Sequence, residues 1–249
     1  MESSLIRLVR RLFARAPRVY LATLKILQRG SPEKRLYISI ISKGDVVIDA
    51  GANVGYFTML FSDLVGPYGH VHAFEPMPAT FSLLSKNLQR FPYYTNVSLN
   101  CAARGESDRR TKIFLPNGDH GQAALVYHRD GSWRNAKVAP FDIEMTRLDR
   151  YAQHLSRIDL LKCDVEGAEF LVLRGAESIL RRFRPKIFLE LDTRWTTSFG
   201  WTPRDLIRFL RSVGYRHFYD IESPPEKIEE ENFSGSALLS SWEEIRGLA

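Results

Sequence analysis

The stretch 46-VVIDAGANVGYFT-58 decides the fold. A short apolar run ends in the carboxylate of Asp49, and Gly51, Asn53 and Gly55 then crowd a turn that needs only one glycine to reverse direction. Short apolar runs bounded by glycine read as buried strands. When a parallel strand turns into a helix, the turn lies at the carboxyl edge of the sheet, where doubly wound folds bind ligands. Glycines there let a ligand approach the backbone, and the helix start offers free N–H groups.

Outward from this turn, strand and helix alternate. Ser31 and Pro32 open a helix through Ile41, Gly44 closes it, and 46-VVIDA-50 is the first strand. A helix over 54–64 follows, then the strand 71-VHAFEP-76, the helix 79-ATFSLLSKNLQRF-91 and the strand 97-VSLNCAA-103. Residues 104–157 break the rhythm and read as short antiparallel strands with a loop through 117-NGDHG-121, a lid or acceptor-recognition insertion. The pattern resumes with 158-IDLLKCDVEG-167, the helix 168-AEFLVLRGAESILRR-182 and the strand 186-KIFLEL-191. Last come the helix 203-PRDLIRFLRSVG-214 and the strands 216-RHFYDI-221 and 236-SALLSS-241, joined by 226-EKIEEEN-232 as an exposed connection. The order predicts an α/β, doubly wound, mostly parallel Rossmann-like sheet over 44–249, preceded by N-terminal helices in 1–43.

Composition narrows the class. The 249 residues suit one α/β domain, and 44% hydrophobic with 26% charged residues is ordinary for a globular protein. Two cysteines, Cys101 and Cys163, make no disulfide framework and favour a reducing, cytoplasmic compartment. No apolar run approaches the roughly 18 residues of a membrane span, and the N-terminus lacks the long apolar core of a signal peptide. The net charge of +6 is local: seven of the 35 lysines and arginines, but one of the 29 acids, lie in residues 1–30. The balanced remainder argues against a nucleic-acid partner. In 5-LIRLVRRLFARAPR-18 an apolar stripe opposes an arginine stripe, as in a helix that either packs on the domain or makes peripheral contact with an anionic membrane at its inner face. The oligomeric state is not specified.

The turn also selects a ligand. Asp49 repels a pyrophosphate and suits a positively charged group, and Asn53 interrupts the G-x-G-x-x-G spacing of dinucleotide sites. Glu75 ends the next strand 24 residues beyond Gly51, near the offset of a ribose-binding acid. A nucleoside with a cationic tail and no phosphate fits this set, and S-adenosylmethionine is such a molecule. Candidate cofactor positions are Asp49, Gly51, Asn53, Gly55, Tyr56, Phe57, Glu75 and Pro76, with Cys101 and Ala102 where an adenine edge would rest. Cys101 reads as a packing residue rather than a nucleophile.

The second cluster is 162-KCDVEGAE-169. Asp164 falls at the fourth strand's end, facing the same crevice, as a candidate cofactor contact and as the first candidate to draw a proton from an acceptor hydroxyl. His120 and His128 in the insertion are second candidates. Glu166 and Glu169 open a helix, where the dipole alone stabilises carboxylates, and Glu166 stands with Asp164 and His120 among the catalytic candidates. No His/Cys cluster has metal-ligand spacing, and His70 and His72 read as packing or surface residues. A divalent ion among Asp164, Glu166 and Glu190 or Asp192 stays open as an alternative. Together, 49-DAGANVGYF-57, 74-FEP-76, 161-LKCDVEGAE-169 and 188-FLEL-191 resemble the FkbM-type S-adenosylmethionine-dependent methyltransferases over about Gly44 to Tyr219. The resemblance implies a seven-stranded class I methyltransferase fold, S-adenosyl-L-methionine as cofactor, and O-methylation of a sugar in a glycan or lipo-oligosaccharide, or of a polyketide-type hydroxyl. It also implies that Asp49 through Gly55 form the cofactor loop, Glu75 the ribose acid, and Asp164, Glu166 and Glu169 the family signature. Tyr127, Trp133, Trp195 and Trp201 suit stacking on a sugar. A nicotinamide reductase and a non-catalytic methyltransferase-like scaffold are the rival classes.

Overall fold

A computed structural model describes residues 31–249 apart from 119–121, 128–132, 222–224, 229–232, 234, 246 and 249, together with positions 16 and 19. Of the helices expected over 5–18 and 19–27, only those two positions fall within the described residues.

Helix α1 (Pro32–Ile40) opens as its sequence demands: the Ser31 hydroxyl accepts the Lys34 N–H at 3.4 Å, and Pro32 needs no donor at the first turn. Then β1 (Val46–Ala50), α2 (Tyr56–Val65), β2 (His70–Phe74), α3 (Pro78–Gln89) and β3 (Val97–Asn100) alternate. The insertion supplies β4 (Ala103–Arg104), β5 (Arg109–Pro116) and β6 (Val138–Thr146), and α4 (Leu148–Tyr151) leads back. The chain continues through β7 (Leu160–Cys163), α5 (Glu169–Arg174), α6 (Glu177–Phe183), β8 (Lys186–Glu190) and α7 (Thr193–Thr196). It closes with α8 (Pro203–Val213), β9 (His217–Asp220), β10 (Glu226–Lys227) and β11 (Ala237–Ser241).

The main sheet has the order β3-β2-β1-β7-β8-β11-β9-β10. β1 runs parallel to both β2 and β7, whereas β11 is antiparallel to β8 and β9. Successive strands step outward from β1 on one side and from β7 on the other, so the strand order reverses between these two. That reversal opens a crevice at their carboxyl ends. Alternation along the strands builds two apolar layers. Val47, Leu160, Phe188 and Leu239 pack with Tyr37 of α1 and Phe61 of α2, and Ile48, Leu161, Ile187 and Leu238 pack with Val172, Leu180, Leu206 and Leu210. Among the described residues, no helix is long and apolar enough to cross a membrane.

Three expectations are corrected. The main sheet has eight strands, because Glu226 and Lys227 pair with Asp220 and Tyr219 inside the segment expected to be only a connection. The strand expected over 97–103 stops at Asn100; Ala103 and Arg104 leave it to pair with Met145 and Thr146 of β6 in a separate three-stranded sheet, β4-β6-β5. The long helix expected over 168–182 breaks into α5 and α6 around Gly175. A Cβ on Gly175 would lie 1.9 Å from the Gly105 carbonyl oxygen, and the Gly175 carbonyl accepts the Asp149 N–H at 2.8 Å. The helix breaks where the insertion's backbone rests on it.

This contact is testable. Gly175→Ala must displace the Gly105 backbone, and overpacking of this kind costs about 1–3 kcal/mol. A lowered midpoint in urea unfolding at unchanged slope is the expected result.

Candidate active site

The loop after β1 is fixed by its own backbone. Gly51 and Ala52 donate to the Phe74 carbonyl at 3.0 and 2.9 Å. Gly51 has φ +82°, and a Cβ there would lie 1.7 Å from the Asp164 carbonyl oxygen. Only glycine lets the loops after β1 and β7 meet backbone to backbone. Asn53, left-handed at φ +49°, turns its N–H onto Glu75 Oε2 at 3.0 Å, while the Met77 N–H donates to Oε1 at 2.9 Å. Burial pushes the Glu75 carboxyl up to about 7, against the pull of these two N–H groups.

Gly51, Asn53, Glu75, Pro76, Ala102 and Asp164 line one cavity of about 280 Å³ at the crevice. Its opposite wall comes from the insertion, through Ala103, Arg104, Ile113, Ala123 and Leu125. Arg104 holds its guanidinium 3.9 Å over the Phe74 ring and donates to the Thr146 hydroxyl; burial lowers its pKa to about 10.

Other expected cofactor residues lie elsewhere. Gly55 starts α2 against Leu84, Tyr56 lies beneath the Lys34 ammonium at 4.7 Å, and Phe57 packs edge-on to Tyr37 in the core. Cys101, expected as a packing residue, is exposed, because the chain leaves β3 at this point for the second sheet. His70 and His72 share hydrogen bonds with Ser98 Oγ at 2.8 Å and Tyr151 Oη at 2.9 Å, and burial lowers His72 to about 4. His120 and His128 lie outside the described residues.

Asp49 is fully buried, and its carboxylate faces inward rather than the cavity. Thr58 Oγ1 donates to Oδ2 at 2.7 Å, and Lys162 Nζ stands 3.3 Å from Oδ1. Asp49 and Lys162 are register partners on adjacent strands, on the layer covered by α1 and α2. Lys162, 1% exposed, also donates to the Gly51 carbonyl at 2.9 Å and pairs with Asp164 Oδ2 at 3.2 Å. Burial works against its charge, but Asp164, Asp49 and Glu33 outweigh burial and hold its pKa above the usual lysine range.

Carboxylates gather on the far side of Asp164. A second cavity of about 380 Å³ shares Asp164, Glu166 and Glu190 with the first and adds Glu169, Asp192, Gln122 and Trp195. Glu166, a non-glycine at φ +53°, carries backbone strain of the kind stored at functional sites. Burial first, then the carboxylates of Asp164, Glu169, Glu190 and Asp192, push it up to about 8. Burial likewise raises Glu190 to about 7, helped by Asp164 and Glu33. Glu169, fully enclosed, rises to about 8 although its Oε1 accepts the Val165 and Gly167 N–H groups at 3.1 and 3.2 Å; its Oε2 has no partner among the described residues. Among the described residues, no three His, Cys, Asp or Glu side chains come together in metal-binding geometry.

The methyltransferase FkbM domain family matches residues 49–217, which span the glycine turn, Glu75 and the acidic cluster. The chain belongs to the FkbM methyltransferase family. It is 35% identical over 163 residues to the 31-O-demethyl-FK506 methyltransferase FkbM of Streptomyces tacrolimicus, covering 54% of this chain and 60% of that one. The 2-O-methyltransferase NoeI of Sinorhizobium fredii is 30% identical over 203 residues, covering 74% of this chain and 76% of that one. The crystal structure of methyltransferase FkbM from Methylobacillus flagellatus has a TM-score of 0.51 at 14% identity, covering 89% of this chain and 53% of that one. That likeness concerns the fold, a class I methyltransferase sheet. The chain thus spans less than two thirds of the FkbM relative's length.

Sequence reasoning assigned no role to Lys162, Arg104 or Glu33. A lysine inside the buried strand 160-LLKC-163 was the available signal, since a buried ammonium requires carboxylates nearby. The FkbM-family site also carries an unusual pH signature. Glu75, Glu166, Glu169 and Glu190 bind protons more tightly folded than unfolded. Their contribution to stability is therefore full below the ordinary glutamate pKa of 4.5 and is lost as pH rises through about 7 to 8. The ligand-free protein is expected to melt at a higher temperature near pH 5.5 than near pH 8.5, and Glu169→Gln to shrink that difference. Scanning calorimetry at both pH values checks it.

Proposed function

We propose that this protein is an S-adenosylmethionine-dependent O-methyltransferase acting on a hydroxyl of a sugar. One observation carries the cofactor assignment: the cavity at the strand-order reversal joins a side-chain-free Gly51, a Glu75 carboxylate held by two backbone N–H groups, and Asp164. These residues fit a nucleoside with a cationic tail. Glu75 retains acceptor capacity for two ribose hydroxyls, Ala102 and Ala103 leave room for a flat base, and Asp164 meets positive charge. Bound S-adenosylmethionine supplies an electrophilic methyl carbon on a sulfonium.

The chain's own contribution is position and proton handling. Asp164 and Glu166 line both cavities, so they stand where cofactor and acceptor spaces meet. Asp164 is paired with Lys162 and serves as a fixed charge for the cationic end of the cofactor. Glu166, raised to about 8, is the proton acceptor once it ionises. His120, the other expected base, lies in the undescribed part of the insertion.

The carboxylate-lined second cavity supports a hydroxyl-rich acceptor, since each carboxylate accepts several hydrogen bonds. The activities of the two relatives, a 2-O-methyltransferase and a 31-O-demethyl-FK506 methyltransferase, support oxygen as the methylated atom. Of the four aromatic residues expected to suit a sugar, Trp133 and Trp201 are buried, and only Trp195 borders the second cavity.

Calorimetry with S-adenosylmethionine tests the cofactor, and Glu75→Gln is expected to weaken binding roughly tenfold or more, the cost of a lost charged hydrogen bond. With a panel of sugar acceptors, Glu166→Gln is expected to lower turnover by roughly 10²-fold and to remove the rise in rate as pH passes about 8. Binding of NADH in place of S-adenosylmethionine defeats the assignment.

A further inference from the structure

Lys162 lines neither cavity of the crevice, yet two of the three oxygens it meets, those of Gly51 and Asp164, belong to residues that do. Its ammonium meets three oxygens from three segments: Asp49 on β1 at 3.3 Å, the Gly51 carbonyl at 2.9 Å and Asp164 after β7 at 3.2 Å. One of its N–H groups donates to the Gly51 carbonyl, and the two carboxylates stand within ion-pair distance. At 1% exposure it cannot act as base, nucleophile or direct ligand contact. Its influence runs through Gly51 and Asp164, which already touch because Gly51 lacks a Cβ.

Those two groups share one end of the cavity. Glu75 closes the side toward β2, and Gly51 and Asp164 close the side toward β7. If the Glu75 carboxylate holds the ribose, the rest of the nucleoside ligand on the β7 side is its aminoacyl tail. That tail carries an ammonium of its own, and the Asp164 carboxylate, with 30% of its side chain exposed, is an acceptor there, beside Glu166 and Glu190.

We propose that Lys162 is a positioning residue for the aminoacyl end of the cofactor, holding the Gly51 carbonyl and the Asp164 carboxylate in place without contacting the ligand. This rests on the cofactor assignment above. It separates two contributions to affinity, the nucleoside half held from β2 and the tail half held through Lys162. Asp49 then serves as the buried counter-charge that keeps Lys162 charged and in place.

Removing the lysine alone strands Asp49 in the core, which destabilises strongly. The informative variant is therefore the double substitution Lys162→Met/Asp49→Asn, which removes both charges, with Lys162→Arg measured alongside. Binding of S-adenosylmethionine and of 5′-methylthioadenosine, which lacks the aminoacyl tail, is measured by calorimetry, with near-ultraviolet circular dichroism as the check on folding. The expected result is a tenfold or greater loss of S-adenosylmethionine affinity in both variants, with methylthioadenosine within twofold of the unmodified protein. If the double variant does not fold, Lys162→Arg carries the comparison.

Equal losses for both ligands, or S-adenosylmethionine affinity within twofold of the unmodified protein, overturn the proposal and leave Lys162 a structural residue. Failure of the unmodified protein to bind either ligand overturns the cofactor assignment, and the proposal with it.

Discussion

A single ammonium inside the sheet constrains much of this molecule. Burying a lysine costs several kcal/mol in lost hydration unless carboxylates surround it in good geometry. Lys162 meets that condition only while β1 and β7 keep their register, with Asp49 directly across from it. A slip of one residue would turn it to the opposite layer, among Ile48, Leu161 and Ile187. The charge therefore specifies the pairing of the two strands that bound the crevice. Tyr37, Phe57 and Phe61 enclose it from the α1 and α2 side, so the apolar packing and the polar bridge enforce each other.

Above that bridge the crevice has two unlike halves. One is walled by small residues and by the insertion's second sheet, with Arg104 stacked on Phe74. The other is crowded with carboxylates that raise one another's pKa. Glu166 stands between them in a strained backbone conformation, which its neighbours must overcome to hold.

Much of the architecture was legible because it follows from local periodicity. The alternation of strand and helix, the capped start of α1 and the glycine turn are all written within a few residues of where they act. Glu75 was legible through its offset from Gly51. Missed features depend on distant partners. The break between α5 and α6 requires Gly105, some 70 residues earlier, to rest on Gly175. The early end of β3 requires β6 to offer a second sheet. Asp49 was read as a carboxylate suited to a positively charged ligand, but the cation facing it belongs to the chain itself, and nothing local distinguishes a lysine partner from a ligand. Tyr56 and Phe57 adjoin the loop in sequence, but the first turn of α2 carries their rings toward Lys34 and Tyr37.

The crowded glutamates have a consequence for how the crevice fills. Near neutral pH, Glu75 and Glu190 stand close to half-protonated and Glu166 is mostly protonated. Any cation that settles among them favours the ionised forms, so its arrival expels protons into solution. The heat of binding then includes the ionisation enthalpy of whatever buffer takes those protons up. Titrations in phosphate and in Tris will disagree in proportion to the number of protons released, which makes occupancy of the crevice visible as a change in acidity.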